Sequence, residues 1–357
     1  MVYLLLCFFC SLYMYSIQNY KASLIVLLPP FILYFLISAL QYNVGSDYFS
    51  YLYIYENQWV LGRYFESGEY FFYYLNIFLK EFGFPGQSIF FIFSFFQSIF
   101  IFVYFNELKK KGFIIWMLFL IFFVVTNIYN NQMNGIRQYA ALTLLPLLTI
   151  FIYNRSYIYF GIFMAIAMSF HSSSLIFLSL IIFVVFHRSF HRYNIVIFIL
   201  SIPFYLLVAK YTPILLENLG LRFSSYIESD YFDAGNYITI ITKIYYFPVL
   251  LFFYYLYGKA RENTKKNHFD GYFSFLIFMF SCTYWSFLMS LDIAILSRVS
   301  SYFWFFIIFP LYYVGIFLHK KGIVKLGLYI IYLVAPYAAK VTFLAKNEFL
   351  YNSIIFN

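Results

Sequence analysis

Charge is what this sequence has least of. Only 10% of its 357 residues are charged, against about 25% in an ordinary soluble domain. A compact chain still exposes a large surface, and here too few polar residues exist to cover it. With 64% hydrophobic residues and a mean hydropathy of +0.80, the solvent for that surface is lipid. Cysteine is nearly absent. Cys7, Cys10 and Cys282 each sit in an apolar run, which excludes a disulfide framework and offers no zinc-ligand spacing. There is no Gly-x-x-x-x-Gly-Lys phosphate loop, no Gly-x-Gly-x-x-Gly, no His-Glu-x-x-His and no Gly-x-Ser-x-Gly. The polar loops are too short to hold a nucleotide domain, so any energy for a reaction arrives with the substrate. No internal repeat recurs at a fixed period.

What is present is aromatic and apolar. Phe (52) and Tyr (40) dominate an aromatic content of 27%; most of these rings read as lipid-facing filler, with some Tyr at interfaces. The apolar runs have the length of spanning helices. The expected fold is all-α: a polytopic integral membrane protein of about twelve transmembrane helices, one transmembrane domain over residues 1–357. The expected spans are 3–18, 22–40, 86–105, 113–130, 136–153, 157–170, 173–187, 193–209, 238–257, 270–290, 296–318 and 322–339. Residues 3–18 lack a basic lead and a small-residue cleavage site, so they read as a retained span. Pro29-Pro30 break the second span and suggest a kink. Residues 69–82 are amphipathic and read as an interfacial or re-entrant helix.

The net charge of +9 does not call for nucleic acid. Basic residues cluster in short inter-span loops: Lys109-Lys110-Lys111, His187-Arg188 with Arg192, Lys259 to Lys266, and Lys320-Lys321. That is the positive-inside pattern. It places the two larger loops, about 41–69 and 210–237, on the outer face together with both termini. His187 and His191 lie four apart, but flanking arginines and the lack of a third ligand argue against metal.

Sorted by side, a set of polar groups collects on the outer face. The stretch Tyr42 to Tyr51 carries Asp47 and reads as the lip of a catalytic cavity, although an aspartate there also suits a helix N-cap. Arg137 opens a span within the polar run Asn130 to Gln138, with amides before it and Gln138 beside it. Such an arginine can simply snorkel, yet it stands on the face where positive charge is scarce. Arg298 raises the same question, near Asp292. Two guanidiniums suit a phosphate or pyrophosphate, which they bind bidentately. His171 is either a cap satisfied by Ser173 or Ser174, or a general acid or base. Tyr48 and Tyr51 could stack on sugar. Glu56 lies outside an Asp-x-Asp spacing, so a metal–nucleotide-sugar site is not supported.

At these residues the sequence resembles the EpsG family of Wzy-like polysaccharide polymerases. The likeness rests on Val44-Gly45-Ser46-Asp47-Tyr48-Phe49-Ser50-Tyr51 after the second span and on Asn134-Gly135-Ile136-Arg137-Gln138 with Ala140-Ala141. It rests also on Phe170-His171-Ser172-Ser173 and on Arg298 ahead of Tyr302-Phe303. The four elements occur in order over most of the chain. Relatives often carry an arginine just before the Val-Gly element, where Gln41 and Tyr42 stand here; a phosphate role for it would fall to Arg63 or Arg137.

The resemblance implies a multi-pass protein of the bacterial inner membrane that polymerises O-antigen, capsule or exopolysaccharide. A growing glycan on undecaprenyl pyrophosphate would move onto a new lipid-linked repeat unit at the periplasmic face, without metal or cofactor. The expected catalytic residues are His171, Asp47, Arg137 and Arg298, with His171 or Asp47 as base; Tyr48, Tyr51, Asn134 and Gln138 would bind substrate. Expected partners are the lipid-linked oligosaccharide, membrane lipid, and a chain-length regulator and flippase of the same pathway, but no nucleic acid. Two alternatives stand: a flippase for lipid-linked oligosaccharides, which would show repeat-related halves, and a glycosyltransferase using a polyprenyl-phosphate sugar. A membrane acyltransferase is a more distant third.

Overall fold

A computed structural model describes residues 1–218, 244–263, 271–292 and 296–355. The described chain is helical, and its only pairing of strand type is an isolated bridge between Gln41 and Ser353. It divides into two compact units, Met1–Leu180 with Gly327–Asn357, and Ile181–Leu326.

The first unit begins with α1 (Val2–Ser16) and α2 (Leu28–Ala39), followed by the short α3 (Tyr48–Glu56), α4 (Gly62–Glu66) and α5 (Tyr70–Glu81). Then come α6 (Gln87–Lys110), α7 (Ile115–Thr126), α8 (Ile128–Asn134), α9 (Ile136–Tyr153) and α10 (Tyr157–Phe170). Helix α6 packs on α9 and α2, and α9 on α10. Aromatic contacts join further helices: Phe71 of α5 and Phe96 of α6 meet Phe170 of α10 at 4.6 and 5.6 Å, and Tyr34 of α2 meets Tyr129 of α8 at 4.3 Å. Polar links run between α2, α6 and α8. Ser38 and Ser94 lie 2.9 Å apart, Tyr34 donates to Gln132 Oε1 at 2.9 Å, and Gln132 Nε2 donates to Ser38 at 3.3 Å. In an apolar setting each buried amide needs such a partner.

The second unit holds the rest of α11 (Ser179–Phe190), α12 (Asn194–Asn218), α13 (Phe247–Asn263), α14 (Gly271–Asp292), α15 (Leu296–Trp304) and α16 (Ile308–Lys320), and the start of α17 (Ile323–Thr342). Helix α12 packs on α14, and α13 on α16. The ring of Phe198 lies between Tyr254 and Tyr284, at 4.4 and 4.6 Å.

The described residues contain six helices long and apolar enough to cross a membrane, or seven if one bent pair counts as a span. The chain is therefore a helical multi-pass membrane protein, but the expected count of about twelve is not supported. Apolar runs overstate helix length here. Segments 3–18, 22–40 and 157–170 fold as helices of 15, 12 and 14 residues, and at about 1.5 Å per residue each falls short of a hydrocarbon core of about 30 Å. Expected spans 173–187 and 193–209 belong to one apolar stretch, Ser172–Tyr211. Most of loop 210–237 and part of span 238–257 lie outside the described residues.

Two local features differ from the sequence expectation. Pro29 lies in the first turn of α2 and starts that helix, where a missing N–H costs nothing; no kink is needed. The amide-rich run, expected at the outer end of span 113–130, folds as a helix of its own. Asn127 adopts a left-handed conformation (φ 55°), breaking the apolar run into α7 and α8 at 53°. Helix α8 is largely buried, with Tyr129, Asn130, Gln132 and Met133 inside.

Candidate active site

The site lies in the first unit, where the loop 40–47 meets the turn between α8 and α9. The loop is tied at its base. Tyr42 N donates to Asn352 O and Ile354 N to Leu40 O, both at 3.0 Å, so the C-terminal segment straps it. Gln87 Nε2 donates to Ala39 O and Gln41 O at 3.2 and 2.9 Å. Gly45 then takes φ +81°, and a Cβ at this position would lie 2.7 Å from Asn134 Cβ; only glycine fits a left-handed turn this close to a neighbour. The close approach brings Asn134 Oδ1 to the amide of Asp47, which donates to it at 2.9 Å. Asn134 thereby caps α3 from another helix, and Asp47 makes no side-chain cap of its own. The carboxylate accepts from Ser46 Oγ at 3.1 Å instead.

Arg137 occupies the first turn of α9. Its Nη1 donates to Glu69 Oε2 in an ion pair whose side chains are 17% and 5% exposed. The guanidinium carbon lies 4.5, 4.8 and 5.7 Å from the ring centres of Tyr64, Phe72 and Tyr51. Planar cations favour such faces. The Nε of Arg137 is buried without a hydrogen-bond partner among the described residues, which leaves one N–H in an apolar setting open to an acceptor. The first turn of a helix adds its own preference for an anion there.

Glu69 joins three elements. Besides Arg137 it accepts from the backbone N of Ser172 at 3.3 Å, and its Oε1 lies 3.9 Å from His171 Nε2. His171 links α10 to the 3-10 helix Ser172–Leu178 in an extended conformation. Its Nδ1 accepts from the backbone N of Ser173 at 3.2 Å and lies 2.7 Å from Ser173 Oγ. A backbone amide can only donate, so Nδ1 carries a lone pair and the neutral ring holds its proton on Nε2, toward Glu69. Tyr51 senses both ends of the site: burial raises its hydroxyl pKa, Arg137 opposes that, and Asp47 adds to it.

The expected site residues thus fall as follows. Asp47, Asn134, Arg137, His171 and Tyr51 are joined through direct contacts and through Glu69. Gln138 follows Arg137 on α9 and is half-buried. Tyr48 is buried, donates to Gln87 Oε1 at 2.7 Å and stacks on Phe90 at 4.6 Å, so its ring supports the loop from inside. Arg298 belongs to α15 in the second unit, and its side chain lies outside the described residues. Glu69 is the residue that sequence reasoning passed over. Its signal was a single carboxylate closing the loop just ahead of the amphipathic α5. The half-buried Glu348, whose carboxyl burial raises, with Asp47 raising it further and Lys340 lowering it, was also passed over.

No curated protein and no solved structure shows a significant match to this chain. The EpsG family model matches residues 24–353, nearly the whole chain, and its membership supports an exopolysaccharide- or O-antigen-type polymerase at the level of the family: the chain belongs to the EpsG family.

Proposed function

We propose that this protein polymerises a bacterial surface polysaccharide at the periplasmic face of the inner membrane. It transfers a growing glycan from undecaprenyl pyrophosphate to a hydroxyl of a new lipid-linked repeat unit. The observation that carries this reading is Arg137, largely buried at a helix start, cradled by three aromatic rings and neutralised by a carboxylate. A cation so placed is suited to an anion that develops charge away from bulk water.

In the transfer, the bond between the donor's anomeric carbon and the diphosphate oxygen breaks. The electron pair leaves with undecaprenyl diphosphate. The acceptor hydroxyl oxygen forms the new bond from the opposite face, inverting the centre, and its proton passes to a base. Arg137 takes the charge growing on the diphosphate, without a metal in this scheme. Asp47 is assigned as base, because His171 has Nδ1 committed to an amide donor and its proton on Nε2. His171 Nε2–H acts as a donor to the anion or to Glu69. Arg298 remains a candidate for a second cation. A flippase and a chain-length regulator of the same pathway are the expected partners.

The test is deletion of the gene in its host and inspection of surface glycan on gels. A polymerase defect leaves a single repeat unit on the lipid core, and complementation with Arg137→Ala leaves the same band. Complete loss of the repeat unit points to a flippase; full-length ladders in the deletion strain refute both.

A further inference from the structure

A second carboxylate reaches the Asp47 loop from the C-terminal segment. The short 3-10 helix Asn347–Phe349 carries Glu348, and two side chains hold that residue by its backbone. Tyr3 Oη of α1 donates to Glu348 O at 3.0 Å, and Asn130 Nδ2 of α8 donates to the same oxygen at 3.4 Å. Asn130 is itself fixed: it is fully buried, and its Oδ1 accepts from Tyr337 Oη of α17 at 2.8 Å. One turn further along α8, Asn134 Oδ1 accepts from the backbone N of Asp47 at 2.9 Å. Two amides on one face of one helix, with β-carbons about 6 Å apart, therefore hold the backbones of two acidic residues. The bridge between Gln41 and Ser353, with Tyr42 N donating to Asn352 O at 3.0 Å, ties the same two segments a second time.

The charges follow the backbone. The ionisable side chains that face Glu348 are Asp47 from the loop, Lys340 from α17 and Tyr3 from α1, whose ring meets Tyr351 at 5.7 Å. Burial disfavours the ionised Glu348 carboxyl and the charge of Asp47 disfavours it further, while its own backbone amide and Lys340 favour it. Lys340 Nζ lies 4.4 Å from the ring centre of Phe349, which keeps this cation beside the helix that carries Glu348. Glu348 is half-buried, so it keeps an edge toward solvent. A base that has accepted a proton must lose it before the next cycle, and a carboxylate between that base and water is suited to receive it.

We propose that Glu348 is the proton relay of Asp47: the proton taken from the acceptor hydroxyl passes from the Asp47 carboxyl to the Glu348 carboxylate and from there to water, with Lys340 as the counter-charge. The O–H bond on Asp47 breaks, one on Glu348 forms, and release to solvent restores both carboxylates, so the cycle balances without another reactant. Glu348 acts through Asp47 and is a positioning residue. The proposal rests on the polymerase reading and on Asp47 as its base.

The experiment uses the full chain in phosphatidylethanolamine vesicles with the host's lipid-linked repeat unit as substrate, and follows kcat and KM against pH and acetate concentration. Glu348→Gln should lower kcat by about tenfold or more with KM within about twofold of the parent. Added acetate should restore kcat in this variant and leave the parent unchanged, since a free carboxylate then carries the proton. The parent's kcat should fall with pH through an inflection above 4.5, where Glu348 becomes protonated and no longer accepts; Glu348→Gln should lack that inflection. Glu348→Asp keeps a carboxyl and should retain more activity, without a response to acetate. A strap element alone would keep the parental kcat and pH profile, because glutamine preserves its shape. Parental kcat in Glu348→Gln, or a loss that acetate does not restore, overturns the relay. If the glutamine variant is poorly produced, Lys340→Gln gives a second measure. Loss of a cation that favours the ionised carboxyl should move the parent's inflection to higher pH, and an unmoved inflection overturns the relay. Failure of the polymerase reading is distinct, because the parent then makes no polymer from this substrate.

Discussion

Replacing Glu69 by glutamine removes one charge and almost no volume, so it isolates the electrostatic part of the cluster. At an effective dielectric of about 20, unit charges 4 Å apart attract by about 4 kcal/mol. Most of that offsets the desolvation of two groups as deep as these, at 5% and 17% exposure. Removing one partner does not recover the cost, because the other charge stays buried; breaking such a pair typically costs about 3–5 kcal/mol. The residual exposure of Arg137 and its three aromatic neighbours recover part of this, so about 2–3 kcal/mol is expected. The assay is a double-mutant cycle with Arg137→Gln on the purified protein, read by chemical unfolding. Non-additivity of about 2 kcal/mol is expected. Additivity within about 0.5 kcal/mol, as for independent sites, would refute the pairing. A second readout has the opposite sign. Glu69 competes for Arg137, so Glu69→Gln should bind inorganic pyrophosphate more tightly and yet turn over more slowly. Weaker pyrophosphate binding in that variant would show that Glu69 serves only as scaffold.

Gly45→Ala should cost about 1–3 kcal/mol and most activity, since it adds a Cβ at 2.7 Å from Asn134 Cβ at φ +81°; unfolding and ladder length report both. Asn134→Ala removes the cap on the Asp47 amide and should cost about 1 kcal/mol, with faster amide exchange confined to residues 44–50. His171→Asn, whose side-chain oxygen can still accept from the Ser173 amide, should fold better than His171→Ala while both lose polymerisation; equal stability would argue against the cap. For Glu348, the folded carboxyl titrates above its ordinary value of 4.5. The folded state therefore holds the proton more tightly, and stability falls as pH rises from 4.5 through the folded value. Glu348→Gln should stabilise the C-terminal strap at pH 7 and do nothing below pH 4.5, as followed by hydrogen exchange at Tyr42 and Ile354.

Membrane insertion and helical class were legible because they depend on summed composition, which no local detail can reverse. The span count was not, because an apolar run does not say where a helix starts or bends. Pro29 opens α2 late, and Asn127 breaks α7 from α8 by one left-handed residue. The amides near Arg137 were legible as unusual, but their burial in α8 depends on tertiary partners such as Tyr34 for Gln132 and Tyr337 for Asn130. Tyr48 looked like a sugar platform because aromatic residues near a polar loop carry no mark of orientation; helical phase turns it inward and Phe49 and Tyr53 outward. Glu69 was invisible for the same reason as any isolated carboxylate in a loop. Its meaning comes from Arg137, Ser172 and His171, which reach it from positions 68, 103 and 102 residues away.

The cluster also explains how so buried a cation is tolerated before substrate arrives. A guanidinium at 17% exposure needs a counter-anion at all times, and Glu69 supplies one. A diphosphate brings negative charge to the same cation, so the carboxylate that was its partner becomes its competitor. Glu69 has an alternative partner already placed: His171 Nε2–H, 3.9 Å away and held in that tautomer by the Ser173 amide. Movement of the carboxylate by about 1 Å converts that gap into a hydrogen bond. In the proposed cycle Arg137 thus passes from an internal anion to the substrate without a step in which either charge is buried alone. In the proposed mechanism the Ser173 amide occupies His171 Nδ1, and for that reason the proton of the acceptor sugar is assigned to Asp47.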